Sequence, residues 1–100
     1  MSAVHINCKV LLGLFENEYY VMVNGSSAYY VNKANVVKLF GEPQVDNPVD
    51  GIVLGYLVET SEGKTLVQLP GEAVVGGMRT WVENKEVSAA EPVRNFVCGA

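Results

Sequence analysis

The same order of short sequence patterns occurs twice in this chain, and this repetition limits the possible folds more than any other feature. Residues 10–43 read VLLGL, EYYVMVNG, YYVNKANVV and Glu-Pro, and residues 52–92 read IVLGY, KTLVQLPG, TWVENKEVS and Glu-Pro. Each pattern fits a three-stranded unit, which buries its apolar face only against a second unit. The sequence therefore predicts pseudo-repeats 4–43 and 51–92 within a single β domain.

Aligning the two patterns places similar residues at matching positions. The competing explanation is chance, because valine and glycine recur in any β-rich sequence and the register shifts through insertions. The matched pairs are Gly13 with Gly55, Val21 with Val67, Gly25 with Gly71, Val31 with Val82, and Val36 with Val87.

Alternating apolar residues and turn signals predict an all-β fold, a single-domain small barrel or barrel-like sandwich of about six strands. Asn24-Gly25 predicts a type I′ hairpin turn. Pro70-Gly71 ends a strand, and Gly76-Gly77 predicts a bulge or sharp bend. The main predicted strands are 4–15, 19–23, 28–31, 52–59, 64–69 and 78–82.

Residues 32–40 allow two interpretations. Asn32 can cap a short helix that ends at Gly41. Alternatively, a tight turn leads into a strand over 36–40, which the β-branched pair Val36-Val37 favours. We expect the turn and strand.

The balance of apolar and charged residues predicts self-association. Hydrophobic residues make up 49% of the chain and charged residues 18%, which is more apolar surface than a small monomer readily hides. Tyr19, Val21 and Val23 point to one face of their strand, and Tyr20 and Met22 to the other. We therefore expect a homodimer or a higher homo-oligomer, and we expect the apolar C-terminal tail, 93–100, to dock on this domain or a neighbour.

Charge and targeting signals exclude several classes of partner. The net charge is −4 and the basic residues form no stripe, so we expect neither nucleic acid nor an anionic membrane as a partner. The first residues do not resemble a secretory signal, which predicts a cytoplasmic protein. Cys8 and Cys98 lack metal or redox spacing, and both a pair of free thiols and a bridge stay open.

The residues that usually carry catalysis give no recognisable constellation. His5 is the only histidine, and no spacing supplies it and Cys8 with further metal ligands. The acidic residues lie in turns and in the linker 41–51, where carboxylates are ordinarily solvated. We therefore expect no catalytic residues, no metal and no cofactor.

One segment resembles a known class of fold. The sequence Trp81-Val-Glu-Asn-Lys-Glu-Val87 resembles the closing element of Src-homology-3-like small barrels, in which a strand runs through a one-turn helix into a short final strand. The upstream stretch 51–63 is similar to a hairpin of these folds, including the small plasmid-borne dihydrofolate reductases. Those enzymes need a Val-Gln-Ile-Tyr strand where this chain has Met78-Arg-Thr-Trp81, so their activity is not expected here.

Aromatic residues provide the one candidate site. Arg79 and Trp81 share a strand face, where a guanidinium can stack on an indole, and Tyr30 is the repeat partner of Trp81. The candidate residues are Tyr20, Tyr30, Tyr56, Arg79 and Trp81. We predict a non-enzymatic binding module that uses them for packing or self-association. The alternative is a small-molecule-binding protein or minimal enzyme whose aromatic pocket forms at an oligomer interface.

Overall fold

A computed structural model describes residues 2–90, which form nine β-strands and two single-turn 3-10 helices. The strands are β1 (Ala3–Leu12), β2 (Glu18–Val23), β3 (Ser27–Asn32), β4 (Val36–Leu39), β5 (Val49–Ser61), β6 (Lys64–Gln68), β7 (Gly71–Val75), β8 (Arg79–Glu83) and β9 (Val87–Ala89). The helices are Lys33–Asn35 and Asn84–Glu86. The predicted all-β class is confirmed, with nine strands in place of about six.

All nine strands belong to one antiparallel sheet that curls into a half-barrel. The main path runs β7-β3-β2-β1-β5-β6-β8, while β4 pairs with β5 and β9 pairs with β1. The two long strands β1 and β5 therefore lie at the centre. Their neighbours on each side build the walls of the half-barrel around one core.

Strict alternation along β1 explains how this core forms. Val4, Ile6, Cys8 and Val10 are buried, whereas the residues between them point to the opposite face, as the two-residue period of a strand requires. The remaining core residues are Val21, Val23, Tyr29, Val31, Val53, Val67, Leu69 and Val82. The strand was predicted to reach residue 15, but it ends at Leu12.

Two turn predictions are confirmed. Asn24 and Gly25 have φ angles of 52° and 80°, and a type I′ hairpin turn requires positive φ at both positions. In the ambiguous segment 32–40, the Asn32 side chain accepts a hydrogen bond from the Ala34 N–H and begins a single 3-10 turn. Strand β4 follows directly, so the interpretation as a turn and strand is correct.

Strand β7 is where the sequence prediction failed. No strand was predicted between the strand end at Pro70-Gly71 and the bend at Gly76-Gly77, but Gly71–Val75 pairs with β3 from the other half of the chain. A Cβ atom on Gly71 would lie 2.4 Å from the Tyr30 carbonyl oxygen, so only glycine fits this close approach. The predicted bend is present at Gly76 and Gly77, where both φ angles are positive.

The two halves pair with each other in matching ways. Strand β4 follows the first 3-10 helix and lies against β5, and β9 follows the second and lies against β1. Gly13 and Gly55 do not match, because Gly13 lies in a turn and Gly55 in the middle of β5. Strand β7 has no counterpart between β2 and β3. The repeat stays a prediction, and the reciprocal pairing supports it.

Two further predictions concern the ends of the chain and the membrane. Residues 93–100, the predicted docking tail, and Cys98 lie outside the described residues. Among residues 2–90, no helix has the length and apolar character needed to cross a bilayer.

Candidate functional site

All five candidate residues lie on the outer face of the sheet, opposite the core. Their neighbours along each strand, such as Val21 beside Tyr20 and Val82 beside Trp81, point inward and are buried. Strand alternation then directs the candidate side chains outward. The candidates are Tyr20, Tyr30, Tyr56, Arg79 and Trp81.

Four apolar residues of this outer face form a compact cluster, which we call the tyrosine patch: Leu11, Tyr20, Met22 and Tyr30. The register places Leu11 beside Tyr20, and Tyr20 beside Tyr30, across three adjacent strands. The rings of Tyr20 and Tyr30 meet edge to face with centroids 5.2 Å apart, a favourable aromatic geometry. Every member of the patch is only half-buried.

Tyr56, Arg79 and Trp81 lie on the same outer face but beyond β1, on strands β5 and β8. Tyr56 and Arg79 both flank Gln68 across the strands, and the Arg79 Nε–H donates a 3.0 Å hydrogen bond to the Gln68 Oε1 atom. Trp81 lies opposite Leu66. Four strands separate β3, which carries Tyr30, from β8 along the sheet order.

A cleft of about 800 Å³ opens where two strands part on the edge of β1. Strand β2 pairs with Lys9–Leu12 and strand β9 with Val4–Ile6, so Asn7 and Cys8 lie between them. Trp81 is the one candidate residue that borders this cleft. The lining also includes Lys9, Met22, Asn24, Lys64, Glu83 and Glu86.

Asn24 closes one end of the cleft, a role that its place in a hairpin turn did not reveal. Its Nδ2 group donates to the Trp81 carbonyl oxygen and, at 3.3 Å, to the Thr80 hydroxyl. The Ser27 and Thr80 hydroxyls are hydrogen-bonded to each other at 3.0 Å in the buried wall behind it. These bonds join the β2–β3 turn to β8 and curl the sheet.

The electrostatics of the cleft do not favour nucleophilic chemistry. Burial raises the pKa of the Cys8 thiol to about 12, and the nearby Asp50 carboxylate adds to this rise. A thiolate is the reactive form of cysteine, so Cys8 stays protonated and unreactive near neutral pH. His5 lies opposite Leu54 and Ser88 in the sheet rather than in the cleft. Within residues 2–90, no three His, Cys, Asp or Glu side chains are arranged to hold a metal.

A second apolar surface lies at the end of the molecule that holds the β1–β2 turn. Sequence patterns did not reveal this surface, because its residues lie in a turn and a linker that are distant in sequence. The Leu12 N–H donates a 2.9 Å hydrogen bond to the Gln44 carbonyl oxygen, which brings these segments together. Its most exposed members are Leu14, Phe15, Phe40 and Val45.

Comparison with known proteins gives no family for this chain. No protein-family model matches it, and neither the curated proteins nor the solved structures contain a significant match. Its function must therefore be inferred from its own residues.

Proposed function

We propose that this protein is a non-enzymatic binding module that self-associates through the outer face of its sheet, as a homodimer in the simplest case. The observation that carries this proposal is the position of the tyrosine patch. It is apolar and contiguous, but it faces away from the core of its own chain.

The composition of β2 supports this proposal. Tyr19, Val21 and Val23 face the core side, while Tyr20 and Met22 face outward, so the strand is apolar on both sides. A strand of this kind is usually covered on both faces. Tyrosine and methionine are also enriched where protein subunits meet, because they bury a large area.

The charges around the patch fit a second copy of the same chain. Lys9 lies opposite Met22 of the patch and forms an ion pair with Asp50 on the outer face. A twofold contact places the same surface of each subunit against the other. A face with both signs of charge can then pair opposite charges across the twofold axis.

Light scattering over a dilution series provides the test. We expect the wild-type protein to show a dimer mass at micromolar concentration that falls toward the monomer mass on dilution. The variant Tyr20→Lys should remain folded and shift to the monomer mass, because a lysine ammonium cannot be buried unpaired in an apolar interface.

The matched control is Phe15→Lys, which places the same charge on the exposed apolar end near the β1–β2 turn. This control should leave the dimer unchanged. A monomer mass for the wild type at every concentration would refute the proposal. Loss of the dimer only in Phe15→Lys would assign the interface to the exposed end instead.

The cleft beside Trp81 supports an alternative function, the binding of a small molecule. Its volume of about 800 Å³ suits a small ligand, and Trp81, Lys9 and Glu83 offer stacking and charged groups. A thermal-shift screen distinguishes the two functions. Saturable stabilisation by one compound, abolished in Trp81→Ala, supports a pocket. A melting temperature that depends only on protein concentration supports assembly.

The proposal also includes a specific barrel family, an internal repeat and a cellular location. We propose a Src-homology-3-like barrel, supported by the order β8, 3-10 helix, β9, and pseudo-repeats over 4–43 and 51–92, supported by the reciprocal pairing of β4 and β9. We also propose a cytoplasmic location, which fractionation of cells that express the protein tests.

A further inference from the structure

An apolar groove opens beside the last described strand. It has a volume of about 390 Å³, and Val4, Leu57, Thr60, Thr65 and Val87 are among the residues that line it. Strands β1, β5, β6 and β9 all contribute to its walls. Nothing among residues 2–90 occupies it, and the chain continues for ten residues beyond this point.

The chain leaves the sheet at the edge of this groove. Ala89 pairs with Val4, and the next residue, Ala90, donates its N–H to the Ala3 carbonyl oxygen at 3.2 Å. Ala3 and Ala89 themselves line the groove. The described part of the chain therefore ends at the mouth of the groove.

The first half of the chain leaves the sheet in the same way, and the structure describes the segment that follows. Leu39 pairs with Gly51, and the next residue, Phe40, donates its N–H to the Asp50 carbonyl oxygen at 2.9 Å. This geometry repeats that of Ala89 and Ala90. In the first half the chain leaves β4 beside β5, and in the second half it leaves β9 beside β1.

After this exit, the linker of the first half folds back along the end of β1. The Leu12 N–H donates a 2.9 Å hydrogen bond to the Gln44 carbonyl oxygen, and Pro43, which precedes Gln44, is buried. The four residues 41–44 therefore span the distance from Phe40 to the carbonyl group that pairs with the Leu12 N–H.

In the second half of the chain, Thr60 occupies the position equivalent to that of Leu12 in the first half. Leu12 pairs with Tyr19, and Thr60 pairs with Thr65. Tyr19 and Thr65 pair in turn with β3 and β8, the two strands that run into the 3-10 helices. Thr60 and Thr65 both line the groove.

We propose that residues 91–94 occupy this groove in their own chain, with Pro92 in the position of Pro43 and a backbone carbonyl accepting a hydrogen bond from the Thr60 N–H. The sequence supports the match, because Glu42-Pro43 follows β4 and Glu91-Pro92 follows β9. The length also fits, since four residues beyond Ala90 reach Arg94, and an extended chain spans about 3.3 Å per residue. This proposal is independent of self-association through the outer face.

Hydrogen exchange of the full-length protein, followed by NMR, tests the proposal. The Thr60 amide should exchange slowly in the wild type and faster, on the order of tenfold, in Pro92→Asp, because a carboxylate disfavours an apolar groove. The Leu12 amide should not change. The matched control Pro43→Asp should instead speed exchange of the Leu12 amide and leave exchange of the Thr60 amide unchanged.

A disulfide test covers the case in which these variants unfold. In a Cys8→Ala, Cys98→Ser background, Thr60→Cys with Val93→Cys should form an intrachain disulfide, as should the positive control Leu12→Cys with Gln44→Cys. Such bonds need Cα atoms within about 7 Å of each other. Unprotected exchange at Thr60 in the wild type, or no disulfide when the positive control forms one, would overturn the proposal. An interchain disulfide would also overturn it and assign the groove to the tail of a second copy.

Discussion

Ile6 faces Val53 across the ladder between β1 and β5, and both side chains are fully buried. Each residue also pairs on its other side with a short strand of the opposite half, Ile6 with Val87 and Val53 with Val36. At this pair, strands from both halves of the chain therefore meet within the core.

Replacement of Ile6 should therefore strongly destabilise the whole domain. We expect Ile6→Ala to lower the free energy of unfolding by about 2–5 kcal/mol and Ile6→Val by about 0.5–1.5 kcal/mol, because of lost apolar contact and the cavity left behind. Urea denaturation measures both changes. The control Val37→Ala, at a largely exposed position in β4, should cost far less. Equal losses for Ile6→Ala and the control would contradict this role.

Tyr29 carries a buried hydroxyl that has no hydrogen-bond partner within the described part of the chain. Burial raises the pKa of this phenol, and the nearby Ser27 side chain offsets part of the rise without meeting the geometry of a hydrogen bond. An unsatisfied buried polar group costs about 1–3 kcal/mol. We therefore expect Tyr29→Phe to increase the free energy of unfolding by about 1 kcal/mol in urea denaturation. The control Tyr30→Phe, with its hydroxyl on the outer face, should change stability little, and a destabilised Tyr29→Phe would show that the hydroxyl is hydrogen-bonded in solution.

The Cys8 thiol should make stability depend on alkaline pH. Its pKa rises from 9.0 to about 12 on folding, mainly through burial. The thiol of the unfolded chain therefore loses its proton at a lower pH than the thiol of the folded protein. The stability that the buried, protonated thiol contributes is fully present below about pH 9 and is lost as the pH rises toward 12. In thermal melts, the wild type should lose stability over this range more steeply than Cys8→Ala. Parallel pH profiles would contradict the raised pKa.

The same thiol should resist alkylation in the folded protein. In a Cys98→Ser background, we expect iodoacetamide to modify Cys8 at pH 8 only after denaturant is added, because the native group is both buried and protonated. Mass spectrometry measures the modified fraction. Rapid modification without denaturant would show that the cleft opens or that the thiolate is populated.

Asn24 should be needed for the curl of the sheet as well as for its turn. Asn24→Gly keeps the positive φ angle but removes the bonds to Thr80 and Trp81, which should cost about 1–3 kcal/mol. Asn24→Asp keeps the oxygen that accepts from the Ser26 N–H but places a carboxylate against the Trp81 carbonyl. We expect Asn24→Asp to be the less stable variant at neutral pH in urea denaturation. Two variants with wild-type stability would show that the turn alone matters.

Local patterns predicted those parts of the fold that depend on neighbours in sequence. The two-residue period placed Tyr20 and Met22 on one face of β2 and Val21 on the other, and Asn24-Gly25 predicted its turn from the positive φ angles that these residues accept. The β-branched pair Val36-Val37 correctly favoured a strand over a helix. The same two-residue period placed Arg79 and Trp81 on one face of β8.

Only the tertiary structure decided which strands meet. Gly71–Val75 becomes a strand because it pairs with β3, some forty residues away, and no local pattern encodes such a partner. The cleft has the same origin, since β2 and β9 part on the edge of β1 and leave Asn7 and Cys8 between them. The sequence by itself thus determined the class of fold and which side chains of a strand share a face, because these depend on backbone period. Only the tertiary structure determined which face is buried, the cleft and the groove, because these depend on contacts between distant segments.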